Sequence, residues 1–487
     1  MKKIKQAILI FLAVCMSVGC IFVSGCSESQ TKTTTYDIVC SYDDGILTGK
    51  ERVEFYNFTS NAFKEIKFNL FGNAFRENAK YSPISAQYLA QAYPNGLSYG
   101  NMQILSVKNG EKETKFSIGG LDENILIVEL LQELFPEETT IIEIEFTLKL
   151  ANVVSRTGIN NKTINLANFY PIVCGIQDES FYECVYYSCG DPFFSDCANY
   201  KVTFTANQKY KVAFSGECVF QSQENDNICY EYKIDNARSF AMVLSECFSI
   251  TSKEVDGVNI NYYYYNDSNP NESLATAEKS IKLYNNLFGS YPYKSYSVVQ
   301  TKFVQGGMEF PALVMISDTL ESGAYNEVIA HETAHQWWQT GVGNNEIEHP
   351  FLDEGLAEYS VVLFYENYPE YSLTREQVLD SARKTYKTYF SVYDKLFGSV
   401  DTSMLRGLYQ YKSEYEYVNI AYIKPCIMFD MLRTTIGENK FFKGLKNYYS
   451  KFCFSNATPS DLVGIYEKLG ADTNGFFDSF FNGKVLL

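Results

Sequence analysis

The chain has 487 residues, enough for roughly two or three domains, and 46% of them are hydrophobic, so a large core can form. Charged residues make up 20% of the chain, an ordinary share that excludes long disordered regions. The formal net charge of −17 argues against a nucleic-acid-binding protein, which needs a surface rich in Lys and Arg. It is compatible with a cationic ligand such as a peptide amino terminus.

The amino terminus has the pattern of an export signal. A segment with three lysines precedes an apolar run at residues 7–23, and the sequence Val23-Ser24-Gly25-Cys26 then resembles a bacterial lipobox, in which the Cys is lipidated. Cys20 fits less well because Ser17 stands where an aliphatic residue is preferred. The alternative is a transmembrane helix, but the apolar run is near the lower end of the about 17–25 residues that such a helix needs. The sequence therefore predicts a signal peptide over residues 1–25 and an extracytoplasmic protein, lipid-anchored to a bacterial cell membrane through Cys26.

Residues 26–35 are polar and are predicted to form a tether. Residues 36–250 are predicted to form an antiparallel β-sandwich-like domain, because polar and apolar residues alternate as they do in half-buried strands, for example at 51–55, 140–146 and 200–204. Cys218 and Cys229 flank a predicted hairpin. A disulfide between them and a pair of free thiols both stay open at this point.

Residues 251–487 change to a helical period and are predicted to form a second domain. The apolar positions predict strands at 296–301 and 310–316. They also predict helices at 272–288, 325–340, 354–365, 373–396, 417–436 and 461–469.

The most informative motif is His331-Glu332-Thr333-Ala334-His335, which holds two of the three histidines of the chain. Residues four apart share one face of a helix, so both imidazoles can reach one metal ion. Glu332 is placed to hold a metal-bound water and to take its proton. A catalytic zinc also needs a third protein ligand, and Glu354, which opens the next predicted helix after 18 intervening residues, can supply it. His349 is predicted to lie outside the ligand set.

These residues resemble the M1 family of metallopeptidases, which are zinc aminopeptidases with the spacing His-Glu-x-x-His-x18-Glu. The agreement covers most of the mature chain, since it extends to residues 190–196, 306–309, 335–338, 351–359 and 421–424. The resemblance implies a thermolysin-like α+β catalytic domain, one zinc ion, and peptide substrates with a free amino terminus. It also implies that Gly306-Gly307-Met308-Glu309 lies on an edge strand, where Glu309 binds the substrate's α-amino group, and that Tyr422 stabilises the oxyanion.

The chain departs from the family pattern at two positions. Phe310 stands where the family usually has Asn, which removes a polar contact to substrate. Pro425 stands where the family usually has Gly, and proline disfavours helical geometry at the preceding Lys424. The second departure bears on the placement of Tyr422, for which Tyr415 and Tyr417 are nearby alternatives.

The sequence thus predicts a zinc-dependent aminopeptidase that removes the amino-terminal residue of peptides with a metal-activated water. One alternative is a zinc endopeptidase with the same metal site. Another is a non-catalytic peptide-binding lipoprotein built on a decayed enzyme, against which the complete ligand set and the intact Glu332 both argue.

Overall fold

The structure is a computed structural model and describes residues 32–470, 473 and 475–485. The predicted signal peptide, most of the predicted tether and the predicted lipidation site at Cys26 lie outside these residues. Among the described residues, no helix is both long and apolar enough to cross a membrane.

The amino-terminal part is built on a large twisted sheet. Its eight strands, numbered along the chain, lie in the order β16 (Glu217–Glu224), β17 (Asn227–Ala237), β14 (Ala198–Asn207), β1 (Thr35–Asp43), β2 (Ile46–Tyr56), β8 (Thr139–Lys149), β4 (Asn101–Asn109) and β5 (Lys112–Glu113). Neighbouring strands are antiparallel except β1 and β14, which are parallel. The large sheet is therefore antiparallel, as predicted, apart from this one pair, in which β1 joins a strand distant in sequence.

Smaller sheets complete this part of the molecule. One contains β15 (Lys211–Phe214), β18 (Met242–Ser245), β10 (Ile164–Leu166) and β9 (Thr157–Ile159). Another contains β11 (Ile172–Val173), β3 (Phe63–Asn69), β7 (Ile125–Leu134) and β6 (Phe116–Gly119), and a short ribbon joins β12 (Ile176–Gln177) to β13 (Ser180–Phe181). Ile66 and Val128 of the second sheet share one buried cluster with Val53 and Ile144 of the large sheet, as a sandwich requires.

The predicted hairpin at Cys218 and Cys229 is present as β16 and β17, but its register keeps the two thiols apart. Cys229 pairs with Ser222, and Cys218 pairs with Tyr232. Cys218 and Cys229 are both free thiols in the described structure.

The carboxy-terminal part begins with a five-stranded mixed sheet. Its strand order is β19 (Ser249–Val255), β20 (Val258–Tyr264), β21 (Ser295–Thr301), β23 (Leu313–Ser317) and β22 (Gly307–Phe310). β20, β21 and β23 are parallel, whereas β22 is an antiparallel edge strand. The boundary predicted between residues 250 and 251 falls within β19, and the division into domains stays a prediction.

Helices cover this sheet and form most of the remaining chain. After a single turn in the amino-terminal part, α1 (Leu89–Ala92), they are α2 (Pro270–Leu287), α3 (Ser322–Ala334), α4 (Phe351–Asn367), α5 (Arg375–Phe397), α6 (Glu414–Tyr417), α7 (Lys424–Ile436), α8 (Glu438–Phe452), α9 (Pro459–Lys468) and α10 (Phe476–Phe481). A sheet-rich amino-terminal part followed by a largely helical carboxy-terminal part confirms the predicted fold class. No prediction covered α8 or α10.

Three predicted elements differ from the structure. The strand predicted at 310–316 is a hairpin, because Pro311 has no amide donor and Ala312 adopts a positive φ of 56° between β22 and β23. The helix predicted to reach Thr340 ends at Ala334. The helix predicted at 417–436 is interrupted by a π-helical turn at Val418–Ile423.

Candidate active site

The two imidazoles of the predicted metal site lie at the end of α3, and Glu354 lies in the first turn of α4 beside them. The His331 Nε2 and His335 Nε2 atoms are 3.1 Å apart, and Glu354 Oε2 is 3.3 Å from the first and 3.2 Å from the second. Tetrahedral zinc ligands at about 2.0–2.1 Å from the ion lie about 3.3 Å from one another. The three donor atoms therefore fit a single zinc ion, and this group could bind a metal.

The end of α3 fixes the orientation of both imidazoles. The chain turns back after Ala334, so the His335 Nδ1–H donates to the Trp338 carbonyl at 2.9 Å. On the other ring, His331 Nδ1 lies 3.2 Å from Glu358 Oε2. Partners of this kind at the outer nitrogen fix the tautomer and leave Nε2 free to bind a metal.

Buried carboxylates give this site a strongly negative potential. Burial by itself lowers the pKa of His335, but Glu309 and Glu354 outweigh it and raise that pKa to about 10. Conversely, burial would raise the pKa of Glu354, but His335 and His331 lower it to about 2. The pocket therefore favours positive charge, as a metal site must.

Glu332 lies on the cleft side of the two ligands. Its side chain is 5% exposed, and its Oε2 atom has no hydrogen-bond partner in the described structure. Burial raises its pKa to about 7, against the lowering effect of the two imidazoles. The unpartnered Oε2 atom is therefore available to accept a proton from a molecule in the cleft.

The edge strand β22 brings Glu309 to the same cleft. Glu309 is 4% exposed, and its Oε1 atom has no partner among the described residues. Burial and the neighbouring Asp191 raise its pKa well above the usual range. Gly306 and Gly307 also line the cleft, and a Cβ on Gly307 would lie 2.2 Å from Glu332 Oε1, so a larger residue there would displace the Glu332 side chain. The side chain of Met308 instead packs into an apolar cluster, so only its backbone is available to a ligand.

Phe310 also points away from the cleft and packs into this apolar cluster. Gln336, two residues after the end of α3, forms hydrogen bonds to the β22–β23 hairpin. It donates to the Phe310 carbonyl at 3.1 Å and accepts from the Ala312 amide at 2.9 Å. These two hydrogen bonds tie the edge strand to the helix that carries the imidazoles.

Tyr422 also lines the cleft and lies on the π-helical turn. Its hydroxyl donates to Glu354 Oε1, and its ring is nearly parallel to that of His331 with centroids 5.8 Å apart. Lys424 is helical (φ −61°, ψ −48°), so the prediction that Pro425 disfavours helical geometry at Lys424 is wrong. The π-helical turn accommodates the proline, because the Lys424 amide donates to the Asn419 carbonyl five residues back.

The two alternative tyrosines are placed differently. Tyr415 is 44% exposed and packs against Tyr389, outside the cleft. Tyr417 lines the cleft and packs edge-on against Tyr422. His349 is partly buried and does not belong to any candidate metal group of the described chain.

Sequence reasoning assigned no role to several residues of this site. Asp191 lines the cleft and pairs with Arg156 at 2.5 Å. Glu346 and Asp353 lie behind Glu309, with carboxylate oxygens of all three within 4.8 Å of one another. Glu358 had a detectable signal, because it follows Glu354 by four residues and therefore shares its helix face. Arg156 had none, since only the tertiary fold brings it here.

Comparisons with known proteins agree with this geometry. Residues 272–480 match the model of the peptidase family M1 domain. Aminopeptidase M1-D from Oryza sativa subsp. japonica is 27% identical over 216 residues, which are 41% of this chain and 24% of that protein. The chain thus spans about a quarter of the length of the curated relatives that it matches.

Solved structures match over nearly the whole chain. The M1 zinc metallopeptidase from Deinococcus radiodurans has a TM-score of 0.66 at 16% identity, covering 94% of this chain and 95% of that one. A mutant of that enzyme, bound to a Tyr-Ser-Ala substrate, has a TM-score of 0.64 at 16% identity with the same coverage. These comparisons confirm the resemblance inferred from the sequence: the chain carries a peptidase family M1 domain at residues 272–480 and has the fold of the M1 zinc metallopeptidases.

Proposed function

We propose that this chain is a zinc-dependent aminopeptidase that binds one zinc ion and removes the amino-terminal residue of peptides. The observation that carries the proposal is the convergence of a metal-binding group, His331, His335 and Glu354, with an unpartnered Glu332 and an unpartnered Glu309 in one cleft of about 310 Å³. The relatives named above are aminopeptidases or zinc metallopeptidases, which supports the same reaction.

Three side chains of the cleft have separate roles in the proposed reaction. Glu309 holds the substrate's ammonium group through a charge-assisted hydrogen bond and so sets the register for cleavage after one residue. Glu332 Oε2 accepts the proton of the attacking water and passes it to the leaving amine. The Tyr422 hydroxyl, which donates to Glu354 here, turns to donate to the oxyanion. A zinc ion, when bound, polarises the scissile carbonyl and lowers the pKa of its water to about 7.

The test is a panel of aminoacyl reporter substrates, assayed with and without a chelator, alongside metal analysis of the purified protein. We expect about one zinc per chain, loss of turnover with chelator, and recovery on addition of zinc. A peptide with an acetylated amino terminus should resist cleavage. Its internal cleavage would indicate a zinc endopeptidase, and zinc binding without any turnover would indicate a decayed, peptide-binding protein.

We also propose that the protein is exported and lipid-anchored through Cys26 to the cell membrane of a bacterium. The support is the sequence alone: a basic segment, an apolar run and a lipobox-like Val23-Ser24-Gly25-Cys26. Lipid labelling in a bacterial host tests it, since wild type should incorporate labelled fatty acid and Cys26→Ser should not. Equal labelling of the two proteins would refute the anchor site.

A further inference from the structure

The wall of the cleft one helical turn before the first imidazole carries an unpaired carboxylate, Glu327. We propose that Glu327, with Glu358 beside it, binds a cationic side chain at the second residue of the peptide, so that the enzyme prefers Lys or Arg after the cleaved bond. This inference rests on the aminopeptidase function proposed above and names its substrate class.

Helix geometry places this carboxylate in the cleft. Residues 327, 331 and 335 are spaced four apart, so they lie along one face of α3 and its last turn. Both Glu327 and Glu358 line the cleft, and Glu327 is exposed to solvent, so a substrate can reach it. One oxygen of Glu358 is occupied by His331 Nδ1 at 3.2 Å, which leaves Glu327 as the principal contact.

The edge strand gives the direction of the substrate. Glu309 is placed to bind the amino group of the peptide. Gly307 lies against Glu332, the proposed proton acceptor, so the scissile bond is placed beside Gly307. The next residue outward is Gly306, where a Cβ would lie 3.6 Å from Val328 Cγ2. A peptide that follows this strand therefore places its second residue beside Val328 and the adjacent Glu327.

The charges along the cleft differ between its two ends. Arg156, the one Lys or Arg among the described residues that line it, is bound to Asp191 near the amino end. Glu327 has no hydrogen bond or ion pair within the part of the chain that the structure describes. A cationic side chain of the substrate would be its first partner, and an acidic one would be repelled by both glutamates.

The experiment compares two peptides that differ by one charge, Ala-Lys-Ala and the same peptide with ε-acetylated lysine. For wild type we expect kcat/KM to favour the charged peptide by about two- to fivefold, the range for a solvent-accessible ion pair. This ratio should fall toward one in Glu327→Gln. It should also fall at about 0.5 M salt, which screens such a pair. Glu376→Gln, an exposed glutamate on α5, is the matched control and should keep the wild-type ratio.

The outcomes separate this inference from the proposed function. If neither peptide is cleaved by zinc-loaded wild type, the aminopeptidase proposal itself fails. If both are cleaved at equal rates, the aminopeptidase stands and Glu327 is only a solvated surface carboxylate. A ratio that persists in Glu327→Gln would assign the preference to another residue and overturn the role of Glu327.

Discussion

Two glutamates in different regions of the molecule are both buried without a full set of hydrogen-bond partners, but their surroundings differ. Glu51 lies in the middle of β2, within the large amino-terminal sheet, and Glu309 lies on the edge strand of the catalytic sheet. Both are buried, both have unpartnered oxygens in the described structure, and burial raises the pKa of both carboxyls well above the usual range. Glu51, however, faces Ile38 and Ile144 on the neighbouring strands, whereas Glu309 faces a cleft.

The difference shows that an unpartnered buried carboxylate does not by itself indicate a functional site. Such a group costs free energy wherever it lies. In the cleft, a ligand can offset that cost, because a cation can enter and pair with Glu309. In the sheet, nothing in the described structure gives a ligand access to Glu51. We therefore expect substitutions in the cleft to change activity and a substitution at Glu51 to change only stability.

The largest expected effect in the cleft is that of Glu332→Gln. The amide keeps the shape of the side chain but cannot accept a proton, so kcat should fall by about 10²–10⁴. Zinc content should stay unchanged, because Glu332 is not a ligand in the proposed site. Kinetics on an aminoacyl reporter, together with metal analysis of the same sample, check both parts. Activity close to that of wild type would refute the proposed role of Glu332.

A smaller effect is expected for Glu309→Gln. This change removes a charge-assisted hydrogen bond to the substrate's ammonium group, which is worth about 1.5–3 kcal/mol, so kcat/KM should fall by about 10–100-fold. The loss should be confined to substrates with a free amino group. An equal loss on a substrate whose amino group is replaced by hydrogen would mean that Glu309 acts on the structure of the site instead of on the amine.

The local part of the site was predictable from the sequence. The spacing of His331 and His335 depends only on the period of one helix, and Glu354 opens the next predicted helix. The partners that orient these ligands were not all predictable. The Trp338 carbonyl reaches His335 because the helix stops at Ala334, whereas the sequence pattern predicted a helix that continues to residue 340.

Glu51 lies on the buried face of a strand whose position, but not whose buried charge, was predictable from the sequence. The alternation at residues 51–55 correctly predicted a strand, and Val53 and Phe55 are on its buried face. The same period of two places residue 51 on that face as well. Composition argues against burying a glutamate, and only the structure decides between the two.

The smallest effect, and one with no consequence for catalysis, is expected for Glu51→Gln. A carboxyl whose folded-state pKa is raised binds its proton more tightly in the folded than in the unfolded protein. Wild-type stability is therefore fully present below the unfolded pKa, near 4.5, and is lost as pH rises toward the folded value. Glutamine mimics the protonated acid at every pH. The variant should match wild type at about pH 4.5 and then gain up to about 1.4 kcal/mol of relative stability per pH unit.

Denaturant unfolding from pH 4.5 to 8 measures this gap, with Glu54→Gln as the matched control. Glu54 is on the same strand, but its side chain is 42% exposed and pairs with Arg52, so its removal should cost less than about 1 kcal/mol. A gap that does not grow with pH would show that Glu51 is ionised and paired in the folded state. A loss of peptidase activity in Glu51→Gln at unchanged zinc content would contradict the contrast between the two regions, because it would tie the sheet carboxylate to the cleft.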